Sequence, residues 1–168
     1  FPKKPLYEVF TSSSNVFCLD ANNIVDNIIS TYPNQYTMIK YQMNWPGYGD
    51  PYYILAGDNR RIFYGVNGIP HMHANGDTSM HTATFTDLLF NYFSSQLSVM
   101  QIASNYSISG NLVSVGIDIN SMADVIGTSK LHIAVVENTT TGNVGSNGET
   151  EFYNVCHAML NTGNGLGV

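Results

Sequence analysis

The side chains of this chain that could do chemistry lie in two short stretches. The first stretch, Ser14-Asn15-Val16-Phe17-Cys18, carries one of the two cysteines, and the second is Ile69-Pro70-His71-Met72-His73. A thiolate near the first turn of a helix is stabilised by the exposed N–H groups and the helix dipole. Cys18 is therefore a candidate for a lone reactive thiol. The alternative, which we favour, is a small buried residue, the usual state of a free cysteine.

His71 and His73, with His81 beyond a predicted turn, form the other candidate. Residues i and i+2 of a strand point to the same side, so both imidazoles could approach one metal ion. A closed metal site needs three or four ligands, and no cysteine or carboxylate is evidently paired with them. We keep these histidines as a metal-site hypothesis beside the alternative of a polar strand face, and we expect no cofactor.

Strands and helices alternate in the first half, where both stretches lie. Ser12, Ser13, Ser14 and Asn15 are typical of a helix start, and Pro33 ends the apolar period that follows. The patterns predict a strand at Leu6–Phe10, a helix through Ala21–Tyr32, a strand at Tyr36–Met43, a helix within Tyr52–Phe63, a short strand after Pro70, a turn at Asn75-Gly76-Asp77 and a helix at Phe85–Leu97.

The character of the chain changes after Leu97. Four strand-like segments follow, separated by Gly, Asn, Ser and Thr: Ser98–Ser109, Asn111–Ile119, Lys130–Glu137 and Thr150–Leu160, with Asn138–Gly148 as a flexible connection. We therefore predict an α/β chain of two units. Residues 1–97 form a mixed sheet with flanking helices, and residues 98–168 form an antiparallel, β-sandwich-like segment. The glycine-rich end is typical of a segment that continues into another one, so we expect the second unit to be truncated.

Composition excludes several function classes. The 168 residues contain 6 Lys and Arg against 12 Asp and Glu, a net charge of −6, which argues against nucleic-acid binding. No apolar run is long enough to span a membrane. Charged residues make up 11% of the chain, against about 25% in an average soluble domain. Such a weakly charged, polar surface favours an extracytoplasmic protein, and the start at Phe1 is consistent with a processed chain.

A strand, a capped helix with Cys18 near its start, and a later Gly68-Ile69-Pro70 before a strand together resemble the thioredoxin-like superfamily. In that family the first helix opens with a Cys-x-x-Cys pair, and a Gly-x-Pro segment holds a cis-proline against it. The segments NWPGYGDPYY and RRIFYGVNGIPHMHANG are similar to those of secreted proteins of Bacteroidetes-type bacteria, described as thiol-disulfide isomerases or outer-membrane-associated proteins. In these proteins a thioredoxin-like core is joined to a small β-sandwich.

The resemblance places Asn15 where the first cysteine belongs and Cys18 where the second belongs. This Asn-x-x-Cys motif lacks the exposed thiolate that attacks a disulfide, so we expect dithiol activity to be absent. The proline segment keeps another role that the resemblance implies: the backbone of Ile69 would stay unpaired beside the helix start. Ser14, Asn15, Ile69 and Pro70 would then form a groove to which an extended peptide adds as a strand.

Three functions remain open. The first is a secreted thioredoxin-like protein that binds an extended peptide or a partner protein at this groove. The second is a thiol-disulfide oxidoreductase or isomerase that uses Cys18 as a monothiol. The third is a structural module of a cell-surface protein. The composition and the resemblance predict a periplasmic, outer-membrane-associated or secreted location, and they identify neither the partner nor the oligomeric state.

Overall fold

The computed structural model describes residues 1–160 and 163–168 in full and the backbone at 161 and 162. The first half contains strands β1 (Leu6–Thr11), β2 (Thr37–Gln42), β3 (His71–Ala74) and β4 (Thr78–His81), and helices α1 (Val16–Ser30), α2 (Leu55–Phe63) and α3 (Asp87–Ser94). The second half contains strands β5 (Met100–Ser109), β6 (Leu112–Ser121), β7 (Lys130–Leu131), β8 (Ala134–Thr141), β9 (Glu151–Met159) and β10 (Leu166–Gly167). Short 3₁₀ helices span Thr82–Thr84 and Leu160–Gly163.

Six strands form one mixed sheet in the order β4-β3-β1-β2-β9-β8. Strand β1 runs parallel to β2 and antiparallel to β3, while β9 runs parallel to β2 and antiparallel to β8. The pairs β5-β6 and β7-β10 form two further sheets of two antiparallel strands each. Strand β1 therefore has neighbours on both sides, and its carboxyl end leads directly into α1.

Side-chain alternation along β1 builds two cores on opposite faces of the sheet. Tyr7 and Val9 face a cluster that includes Val25 of α1 and Phe90 of α3. Phe10 faces the other side, in the cluster with Ala56 of α2 and with the further members Tyr41, Met43, Val66, Cys156 and Met159. The sheet is thus covered by α1 and α3 on one face and by α2 on the other.

The structure confirms a mixed α/β chain with helices flanking a mixed sheet. The predicted helices and strands of residues 1–97 are present with boundaries shifted by a few residues, and strand β4 was not predicted. The second half differs from the β-sandwich-like segment that we predicted. Strands β8 and β9 extend the sheet of the first half, so strands from both sides of the predicted boundary at residue 97 share one sheet.

None of the helices in the described residues has the length and apolar content needed to cross a membrane.

Candidate functional site

Asn15 begins helix α1 and connects it to two other parts of the chain. Its Oδ1 accepts a hydrogen bond from the backbone N–H of Phe17 at 3.0 Å, the capping interaction that Asn favours at a helix start. Its Nδ2 donates to the carbonyl oxygen of Ile69 at 3.2 Å, and its own carbonyl accepts from Asn147 Nδ2 at 3.1 Å. One amide side chain therefore joins the helix start to the segment before β3.

The structure brings together all four residues of the predicted groove region. Ser14 and Asn15 lie at the start of α1, and Ile69 and Pro70 lie immediately before β3, with the Ile69–Pro70 peptide bond cis. Our expectation that the backbone of Ile69 is unpaired needs a correction, because its carbonyl accepts from Asn15. Its N–H has no hydrogen-bond partner among the described residues.

The loop between β8 and β9 completes this site, a contribution that the sequence did not reveal. We predicted this segment as a flexible connection, but Asn147 donates its backbone N–H to the carbonyl of Ser13 at 3.0 Å. Buried Glu149 accepts from Asn147 Nδ2 and Asn22 Nδ2, both at 2.7 Å. A Cβ added at Gly145 would lie only 2.7 Å from the Ser13 side chain, so this close approach requires glycine.

Asp50 supports the same helix start from the other side. Its Oδ2 accepts from the backbone N–H of Ser13 at 2.8 Å, and its Oδ1 accepts from Tyr52 N–H at 2.8 Å. A groove of about 300 Å³ lies between the two loops that carry Asp50 and Gly145, and the side chains of Ser14 and Tyr48 line part of it. Ser14 thus connects this groove to the start of α1, whereas Asn15, Ile69 and Pro70 lie outside its lining among the described residues.

Cys18, the candidate nucleophile, lies in the first turn of α1 and is 0% exposed. Burial raises the pKa of its thiol, although hydrogen bonds from Thr11 and from the backbone of Ser12 act in the opposite direction. Cys156 is also free and buried, and burial raises its pKa to about 11. An inaccessible thiol with a raised pKa is a poor nucleophile, so the geometry favours the packing interpretation of Cys18 over the monothiol one.

Exposed apolar side chains lie at the start of α1 and on the two loops that flank the groove. Val16 and Phe17, on the first turn of α1, are 61% and 70% exposed, and Tyr48 and Val144 project from the two flanking loops. Exposed large apolar side chains on a helix start and its adjacent loops are typical of protein-interaction sites.

The three candidate metal ligands are close in the sheet but do not form a metal site. His71 pairs with His81 in the register of β3 and β4, and the ring centroids of His71 and His73 lie 5.2 Å apart. His71 Nε2 bonds instead with Ser79 Oγ at 2.9 Å, and His81 Nδ1 accepts from the N–H of Ala83. Among the described residues, no group of three His, Cys, Asp or Glu side chains is positioned to hold a metal ion.

A buried charged cluster lies on the α2 face of the sheet. Arg60 donates to both carboxylate oxygens of Glu8 at 2.9 Å, and Tyr41 and Tyr64 donate their hydroxyl protons to the same carboxylate. Burial and the neighbouring Glu8 raise the pKa of both tyrosines. The ring of His73 stacks on Tyr64 with centroids 4.1 Å apart. Sequence reasoning missed this cluster, whose one visible signal was a glutamate inside an otherwise apolar strand.

A larger cleft lies away from these residues. It measures about 730 Å³ and is lined by parts of α1, β2 and β9, including Asp26, Tyr36 and Tyr153. None of the residues that sequence reasoning selected lines it, so its size does not identify it as the functional site.

No model of a protein family matches the chain, and no curated protein matches it. Among solved structures, HBP35 of Porphyromonas gingivalis matches with a TM-score of 0.72 and 14% sequence identity over 100% of this chain. The crystal structure of protein AGR_C_4864 from Agrobacterium tumefaciens matches with a TM-score of 0.71 and 18% identity, covering 95% of this chain and 72% of that chain. This chain spans 60% of the length of the HBP35 chain. At these identities, the two matches show a shared fold.

Proposed function

We propose that this chain is a thioredoxin-like binding module without dithiol activity, which binds an extended segment of a partner protein beside Ser14, Asn15, Ile69 and Pro70. The observation that carries the proposal is the hydrogen bond from Asn15 Nδ2 to the Ile69 carbonyl. It supports the match of Asn15 to the first cysteine of the family motif, because helix start and proline segment meet at this residue. An amide at that position cannot attack a disulfide.

The backbone around Ile69 supports strand-like binding. Its N–H is available as a donor, and its carbonyl oxygen, already bonded to Asn15, has a second lone pair. An extended peptide that pairs with both groups would lie as a short strand beside the segment that precedes β3, with main-chain hydrogen bonds supplying affinity. The exposed side chains of Val16 and Phe17 would contact the apolar side chains of that peptide.

The geometry of Cys18 does not support the second candidate, a monothiol enzyme, because that thiol is buried and its pKa is raised. The third candidate, a structural module, would need no ligand at the groove. The binding experiment below therefore distinguishes it from the proposed function.

We also propose an extracytoplasmic location. The low content of charged residues supports it, and one of the two similar structures comes from a bacterium of the Bacteroidetes, the group of the sequence resemblance.

An array of random-sequence peptides of about 12 residues, long enough to add a strand, tests the binding function. Bound peptides are then titrated into ¹⁵N-labelled protein, and we expect amide shifts at Asn15, Phe17 and Ile69. The variants Ile69→Asp and Phe17→Ser should each weaken binding about tenfold or more. The matched control Ile62→Ser removes a similarly exposed side chain from α2 and should leave affinity unchanged. An array without binders, or shifts confined to other surfaces, would show that the groove is not a peptide site.

A further inference from the structure

Strands β5 and β6 form a ribbon that stands apart from the main sheet. Each is ten residues long, and among the described residues they pair only with each other, from Met100↔Ser121 at the base to Ser109↔Leu112 at the tip. An isolated two-stranded ribbon is marginally stable in water unless a hydrophobic face packs on something else. A ribbon of this length is therefore expected to have a packing partner.

The register separates the ribbon into an apolar and a polar face. Directly opposed residues of an antiparallel pair point to the same side. The pairs Ile102↔Ile119, Tyr106↔Val115 and Ile108↔Val113 therefore share one face, together with Ile117 opposite Ser104. The alternate pairs, such as Asn105↔Gly116 and Ser107↔Ser114, form the polar face. This face separation is the pattern of a strand pair that is buried on one side.

The apolar face is nevertheless uncovered. Five of its large apolar side chains are exposed to solvent, and that of Ile108 is 66% exposed. The five are Ile102, Tyr106, Ile108, Val113 and Val115. Exposed apolar patches on this scale mark sites of association.

Charge indicates which partner fits. From residue 98 to residue 129 the chain contains no Lys, Arg or Glu, and its two acidic residues there are Asp118 and Asp124. Asp118 pairs with Ala103 and so lies on the polar face. The apolar face therefore offers no charge that would select a charged partner. For a chain with a net charge of −6, this uncharged face is one on which a second copy meets little repulsion.

We propose that this chain forms a symmetric dimer in which the apolar faces of two β5-β6 ribbons pack on each other. Two-fold contacts place the same patch on both partners, and a neutral apolar face is complementary to itself. Ten residue pairs give a face about 34 Å long and about 10 Å wide. Two such faces have a combined footprint of about 700 Å², below the area of a standard specific interface, so we expect the dimer to be weak.

Sedimentation velocity over a concentration series tests the dimer, with a matched pair of variants. Ile108→Lys changes the apolar face, whereas Leu112→Lys changes a residue of equal exposure, 66%, on the opposite face of the same ribbon. We expect wild type and Leu112→Lys to dimerise alike and Ile108→Lys to raise the dissociation constant about tenfold or more. A wild-type chain that stays monomeric up to about 1 mM, or equal loss in both variants, would overturn the proposal.

Cross-linking adds a test that does not weaken the fold. Ser104 and Asn105 are neighbours at the middle of the ribbon, the first on the apolar face and the second on the polar face. Under mild oxidation, Ser104→Cys should form a disulfide-linked dimer, and Asn105→Cys should not, because its thiol points away from the partner ribbon. The two natural cysteines do not interfere, since both are buried. Equal cross-linking of the two variants contradicts face-to-face packing. Peptide binding at Asn15 and Ile69 is scored separately, so failure of one proposal does not affect the other.

Discussion

Asn15 donates its side-chain amide to the backbone carbonyl of Ile69 across 3.2 Å, while its Oδ1 caps helix α1 through the N–H of Phe17. Asn15→Ala removes both interactions. We expect it to lower the free energy of unfolding by about 2 kcal/mol, roughly one from the cap and one from the hydrogen bond. Asn15→Ser keeps a cap acceptor while losing the donor to Ile69, and it should cost less. Urea denaturation measures both.

The control for a lost cap alone is Thr86→Ala in α3, where Thr86 Oγ1 accepts from the N–H of Leu89. It should cost about 1 kcal/mol. If Asn15→Ala costs no more than Thr86→Ala, the bond to Ile69 contributes nothing to stability.

Local patterns in the sequence predict much of this arrangement. The Ser and Asn cluster before α1 predicts a helix start, and Asn15 caps the helix there. The alternation of β2 and the proline before β3 likewise predict strands that are present. These features depend on neighbours within a few residues, which is the range that a single sequence records.

The remaining parts of the site depend on contacts between distant residues. Asn147 lies 132 residues from Asn15, and Arg60 lies 52 residues from Glu8. Nothing in a polar loop such as Asn138–Gly148 indicates which helix start it will contact. In the same way, the alternation of β9 predicts a strand but not its place beside β2. Which strands become neighbours depends on how the whole chain packs, and local periodicity does not predict it.

Asn15→Cys would create a Cys-x-x-Cys sequence at the start of α1. We expect the introduced thiol and Cys18 to form an internal disulfide under mild oxidation, and the reduced variant to accelerate the reduction of insulin by dithiothreitol. The exposed helix N–H groups would stabilise the new thiolate, and Cys18 would act as the resolving thiol. Ser14→Cys is the control, since it introduces a thiol outside the motif. If Asn15→Cys forms no internal disulfide, the proposed match between Asn15 and the family's first cysteine is wrong.

Cys18 of the native protein should react slowly with iodoacetamide near neutral pH. The thiol is buried and burial raises its pKa, so both access and the thiolate fraction are low. Mass spectrometry should detect labelling of Cys18 and Cys156 only after urea unfolds the chain. Rapid labelling of Cys18 in the folded state would revive the monothiol interpretation.

Arg60→Met should be among the most destabilising single changes in this chain. It leaves the Glu8 carboxylate buried without its cation, and breaking a buried ion pair in this way costs about 3–5 kcal/mol. The double variant Glu8→Met with Arg60→Met should be more stable than Arg60→Met alone, because no unpaired charge remains. A double-mutant cycle in urea measures the coupling.

The control is Arg61→Met, which breaks the more exposed ion pair with Asp58 on the same helix. A pair of this kind contributes about 1 kcal/mol or less. Equal losses for Arg60→Met and Arg61→Met would mean that the Glu8 cluster contributes no more than the contacts of Arg61, which include this partly exposed pair and a hydrogen bond to the Val66 carbonyl.

Stability should fall as the pH drops below about 6.5, the unperturbed pKa of histidine. Burial lowers the pKa of His71, His73 and His132 in the folded chain, so the unfolded chain binds protons first as the pH falls. The free energy of unfolding is therefore fully retained at a pH above the pKa of these histidines in the unfolded chain. It declines as the pH falls from that pKa to their lower pKa values in the folded chain. The largest slope for one such histidine is about 1.4 kcal/mol per pH unit.

His73→Phe isolates one of these contributions. Both ring nitrogens of His73 are buried without hydrogen-bond partners in the described part of the chain, and its ring stacks on Tyr64. Phenylalanine keeps a ring for this stacking but cannot bind a proton. We therefore expect the variant to be at least as stable as wild type at pH 8 and to lose less stability between pH 7 and pH 5. Urea titrations at these pH values measure the slope, and an unchanged slope would show that His73 does not contribute to it.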